Sequence, residues 1–178
     1  MADDLATQAL IDEAMRKSWL IWVQTRAATR PIGHPFWHVW LDGVGYLLTG
    51  TREQPDPELA DGEPITVLAR SKDNQHRLIT FGATASRVRP PDVDWPPATE
   101  ALAKARLNLP SAHEAPAMWA DSLDVTIYRF EPNGQVYEQP GSYDDASHRQ
   151  APVDSVATTA RWRPKVLHRR GHHGRPLS

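Results

Sequence analysis

Residues 34–50 read His-Pro-Phe-Trp-His-Val-Trp-Leu-Asp-Gly-Val-Gly-Tyr-Leu-Leu-Thr-Gly. Two runs dense in aromatic and β-branched residues flank Asp42-Gly43, a dipeptide suited to the positive φ angles of a tight turn, so the segment predicts a β-hairpin. Four more stretches carry strand patterns. Residues 18–25 are apolar on both faces, residues 65–70 alternate apolar and polar, residues 77–88 follow a polar turn at 71–76, and residues 124–130 run into Glu131-Pro132-Asn133-Gly134, which reads as a turn. Within the hairpin, alternation puts Trp37, Val39 and Leu41 on one face and Phe36, His38 and Trp40 on the other. At most one set can face the inside of a small barrel; the other must meet a partner, a ligand or solvent.

Helical patterns bracket these strands. Residues 3–17 place Leu10, Ile11, Ala14 and Met15 on one face, with acids early and Arg16 and Lys17 late, in keeping with the helix dipole. Residues 99–109 are rich in Ala and Leu, and Ser111 to Glu114 has the spacing of a capping box before a second short helix. Residues 26–33 and 51–64 read as loops. The order is helix, five strands, helices, strand, which predicts a mainly β chain of six strands with flanking helices.

The 178 residues contain no cysteine, which excludes disulfides, thiolate metal sites and cysteine nucleophiles and suits a reducing compartment. With acids rather than Lys or Arg near the N-terminus, and no apolar run near the ~20 residues that cross a bilayer, a cytoplasmic protein is expected, with no membrane partner. Charge is unevenly distributed. Residues 1–148 carry 13 basic against 21 acidic side chains, whereas from Arg149 onward seven Lys/Arg face Asp154 alone. An acidic body argues against specific nucleic-acid binding. Apolar periodicity fades from about Gln135, so the expected organisation is one domain over residues 1–140 and a flexible basic tail over 141–178.

No Gly-x-Ser-x-Gly elbow, Gly-x-Gly-x-x-Gly turn or Walker loop is present. His34 and His38 share no helical face, and His172 and His173 lack an ordered surround, so no metal site is expected. Seven Trp residues are the stronger signal. Trp19, Trp22, Trp37 and Trp40 fall in adjacent strands, where they either fill a core or flank a planar aromatic ligand.

The series Pro35-x-x-His-Val-Trp-Leu-Asp-Gly, Gly45-Tyr-Leu-Leu-Thr-Gly and Ile65-Thr-Val-x-x-Arg-Ser-Lys resembles the FMN-binding split barrels related to pyridoxamine 5'-phosphate oxidase, over roughly residues 8–132. The resemblance implies a six-stranded, Greek-key-like split β-barrel, homodimeric, with each flavin shared between subunits. It places His38, Val39 and Trp40 near the flavin ring and Thr49, Gly50, Thr51 and Arg52 near its phosphate. The chain departs from the oxidase pattern in having Trp37 and Asp42 where cations bracket the second strand, and Glu53 and Gln54 in the phosphate run, so pyridoxamine phosphate oxidation itself is not expected. Arg70, Ser71 and Lys72 offer either a substitute oxyanion clamp or a solvated strand end. The expected function is binding of FMN, or of a deazaflavin, in support of hydride transfer on a small molecule, with no catalytic residue assigned. The alternative is a flavin-free barrel serving as a ligand-binding or assembly module.

Overall fold

The computed structural model describes residues 2–25, 33–74, 76–107, 109 and 111–143. Helix α1 (Ala2–Arg16) leads into β1 (Leu20–Thr25), followed by β2 (His34–Trp37), β3 (Val39–Leu41), β4 (Val44–Gly50), β5 (Glu63–Arg70) and β6 (Arg77–Val88). Helices α2 (Trp95–Ala105) and α3 (Ala115–Ala120) precede the last strand, β7 (Val125–Glu138). The strands form one antiparallel sheet in the order β2-β1-β5-β6-β7-β4-β3.

The sheet has seven strands rather than six because the run 34–41 divides at His38. Residues before it pair with β1, Leu20 opposite Trp37, and residues after it pair with β4, Val39 opposite Tyr46. β2 and β3 thus lie at opposite ends of the strand order yet are separated by one residue. Since consecutive Cα atoms are about 3.8 Å apart, the two edges of the sheet must converge at His38, and the sheet curls into a barrel. The Asp42-Gly43 turn takes the expected form, with φ of 49° and 83°.

Alternation then sorts the side chains as read. Phe36 is buried in the barrel interior with Ile21, Val23, Leu47, Val67, Phe81, Tyr128 and Phe130, and Trp40 packs on the same cluster. The interior is plugged by α1, whose Ile11, Ala14 and Met15 are buried as its amphipathic pattern predicts. Trp37, Val39 and Leu41 face outward and meet not a partner but this chain's own helices, joining Ala98, Leu102 and Trp119 over Leu48 and Ile127.

Three sequence expectations are corrected. β1 is not buried on both faces: Ile21 and Val23 point inward, while Trp19 and Leu20 are exposed and Trp22 is half-buried. α2 begins four residues earlier than its Ala/Leu pattern, with prolines in the first turn where their missing N–H costs nothing, and α3 starts at Ala115 without a side-chain cap from Ser111. Glu131 to Gly134 is no turn. β7 continues to Glu138, paired with β6 through register shifts near Phe81, so its polar far half reflects one-sided exposure rather than loss of structure. The described residues belong to one unit, Met1–Asp144. Nearly all of the tail expected over 141–178 lies outside the described residues, and no described helix is long and apolar enough to cross a membrane.

Candidate functional site

A cavity of about 700 Å3 opens where the barrel closes. Its walls come from four places: Ser18 and Trp19 at the start of β1, Trp37 and His38 at the β2–β3 corner, Arg52, Glu53 and Gln54 after β4, and Ala105, Arg106 and Leu107 at the end of α2. The corner leaves backbone groups of Trp37 unpaired by strands, and Gln54 satisfies them. Its Oε1 accepts from the Trp37 amide at 2.6 Å, and its Nε2 donates to the carbonyls of Trp37 (3.0 Å) and Leu48 (3.2 Å). One side chain thus stands in for a missing strand and fixes the indole of Trp37 against the cavity.

His38 lies at the hinge of that corner. Its Nε2 is 3.3 Å from the Met15 carbonyl, and because a carbonyl can only accept, that nitrogen carries the proton. The other nitrogen, Nδ1, is shut from solvent and has no hydrogen-bond partner. Burial pushes the imidazole down to about 4, outweighing the opposing pull of the Met15 carbonyl, so His38 is neutral near pH 7. Part of the cavity wall is charged. Arg106 pairs with Glu53, whose side chain is 9% exposed against 21% for the arginine, while Arg52 is exposed.

Of the ten residues expected at a cofactor, His38 and Arg52 line this cavity. Val39 packs outward against the α2 cluster. Trp40 faces inward, its Nε1 donating to Asp12 Oδ1 at 3.0 Å, and borders a second cavity of about 600 Å3 with Asp42 and Glu131. Thr49 is fully buried, its hydroxyl donating to the Thr126 carbonyl at 3.0 Å. Gly50 and Thr51 border a third cavity of about 520 Å3, with Glu53, Asp56 and Asp124. Arg70 stacks over Trp22 and Lys72 over Trp19, 5.1 and 5.8 Å from the ring centroids, and the Ser71 hydroxyl accepts from the amides of Asp73 and Asn74. The aromatic walls Trp19 and Trp37 belong to the tryptophan set singled out in the sequence. Gln54 stands out in the sequence as a departure in the phosphate run and Arg106 not at all, since their roles here depend on a loop and a helix end that only the closed barrel brings together.

No protein-family model matches the chain. No curated protein matches it either. Among solved structures, HutZ, the heme storage protein of Vibrio cholerae, superposes with a TM-score of 0.51 at 16% identity, over 71% of this chain and 90% of that one. The chain has the split-barrel fold. A candidate pyridoxamine 5'-phosphate oxidase from Listeria innocua (13% identity, 74% and 96% coverage, TM-score 0.49) and general stress protein 26 from Bacillus anthracis (13%, 71% and 89%, 0.46) also align. The resemblance read from residues 34–50 and 65–72 is thereby borne out at the level of architecture.

Proposed function

We propose that this split barrel binds a planar, flavin-class ring in the cavity at the β2–β3 corner. The observation that carries the reading is the cavity itself: about 700 Å3, walled by the indoles of Trp19 and Trp37, and bordered by a neutral histidine with one uncommitted ring nitrogen. A volume of this order, with two indoles on one part of the wall and polar groups on another, suits a ring of that size. Trp19 and Trp37 would flank the ring, His38 would back it as a neutral wall, and Arg52 would meet an anionic substituent.

FMN or a deazaflavin, when bound, would supply hydride transfer to or from a small molecule, and the chain's own groups would orient the ring and keep water from one side of it. The one carboxylate among the described lining residues, Glu53, is already paired with Arg106, and this suits a role in binding and orienting. Trp19 is 71% and Leu107 97% exposed at the rim, so a second copy of the chain would close the mouth; a cytoplasmic homodimer is the assembly this reading carries.

Quenching of tryptophan fluorescence on titration with FMN and riboflavin tests the proposal. Saturable quenching that disappears in Trp37→Ala, with the fold retained by circular dichroism, is the expected result. Absence of binding by either flavin would leave the flavin-free binding module as the better account.

A further inference from the structure

We propose that Glu53 sets the charge of the ligand: the cavity accepts a planar aromatic molecule whose polar end is neutral or singly negative, and disfavours a phosphate dianion. The inference rests on the ligand-binding reading above, and refines it. Among the described residues, two cations line the cavity, Arg52 and Arg106. Arg106 is already paired with Glu53, and both side chains are largely withdrawn from water. A ligand phosphate drawing Arg106 away would strand a buried carboxylate, and one approaching the intact pair would meet that carboxylate at short range, where the surroundings screen it poorly. Arg52 remains, but it is exposed, so its attraction is weakened by solvent and salt.

The wider field points the same way. Residues 1–148 carry 21 acids against 13 basic side chains. The two neighbouring cavities offer no relief, one bordered by Asp12, Asp42 and Glu131 with Arg16, the other by Glu53, Asp56 and Asp124. Lys72 stands over the Trp19 ring and does not line the cavity. Among the described residues, a phosphate dianion therefore gains one solvent-screened cation and faces one buried acid, whereas a hydroxyl or a single carboxylate can be met by Arg52.

The test compares two ligand pairs that differ by a phosphate, riboflavin with FMN and 1-naphthol with 1-naphthyl phosphate, by fluorescence titration at neutral pH and low salt. Wild type is expected to bind each phosphate ester no more tightly than its neutral parent. Glu53→Gln frees Arg106 and is expected to tighten both phosphate esters about tenfold while leaving the neutral parents within about twofold. The double variant Glu53→Gln/Arg106→Gln removes the pair without changing net charge and is expected to keep the wild-type ratio. Strong preference of wild type for the phosphate esters, an unchanged ratio in Glu53→Gln, or an equal shift in the double variant overturns the proposal. If flavins fail to bind but the naphthyl pair shows the expected ratios, the flavin reading falls and the charge selection stands. If no ligand of either pair binds, both fall.

Discussion

His38 and Gly45 each answer to a neighbour that a one-dimensional pattern does not show. His38 is held neutral by burial, with a folded pKa of about 4 below an ordinary value of 6.5. A base whose folded pKa is depressed contributes stability that is fully present above its unfolded value and is lost as pH falls toward the folded one. Stability is therefore expected to decline between about pH 6.5 and 4, by on the order of 3 kcal/mol at most. Denaturant unfolding across that window should show a shallower decline in His38→Gln; parallel curves would mean that other groups carry the pH dependence. The sequence singled out His38 for a ligand ring, but its place at the strand break follows from the opposite pairing of its neighbours. Gly45 is tighter still. A Cβ there would fall 1.9 Å from the Phe130 ring, in the strand pair that sets Gly45 opposite Phe130. Gly45→Ala is expected to cost roughly 1–3 kcal/mol of stability by overpacking, read as a lower denaturation midpoint at unchanged slope.

At the scale of elements, two strands were legible almost residue for residue: β5, whose side chains alternate between core and surface, gains two residues at its start, and β6 runs Arg77–Val88 as read although residues 79–83 are buried on both faces. The break between β2 and β3 was not, because both halves keep one uninterrupted alternation and only their partners change. The continuation of β7 was hidden for a related reason. Its far half pairs with β6 through irregular register, and its polar residues sit where Glu138 meets Arg77 and accepts from the Thr80 hydroxyl at 2.8 Å. Gln54 shows what the break demands. Three backbone groups depend on its amide, so Gln54→Ala should cost roughly 1–3 kcal/mol and speed amide exchange at Trp37 more than at the centre of β6. Equal protection at Trp37 in variant and wild type would show that the corner is held by other contacts.

At the scale of the molecule, two apolar clusters lie on either side of the sheet, the barrel interior plugged by α1 and the outer face of β3, β4 and β7 covered by α2 and α3. The fold class could be read from the strand order, whereas the cavity could not, since four separated segments build it and its arginine–glutamate pair joins a loop to a helix 53 residues downstream. No described helix packs on the outer face of β2, β1 and β5. There Trp22 sits between Pro35 and Leu68 in register, and Leu20 is 46% exposed beside them. An apolar row of this kind on a sheet face is a surface that association would bury, and Trp19 at its end also borders the cavity. If a second copy covers it, light scattering at micromolar concentration should give about twice the 20.0 kDa of the single chain. Leu20→Glu, placed on an exposed side chain that the monomer does not need, should return the mass to that of one chain while keeping the circular dichroism spectrum and the titration of His38. A wild-type mass of a single chain, with or without flavin, would sink the homodimer and leave the mouth of the cavity open to solvent.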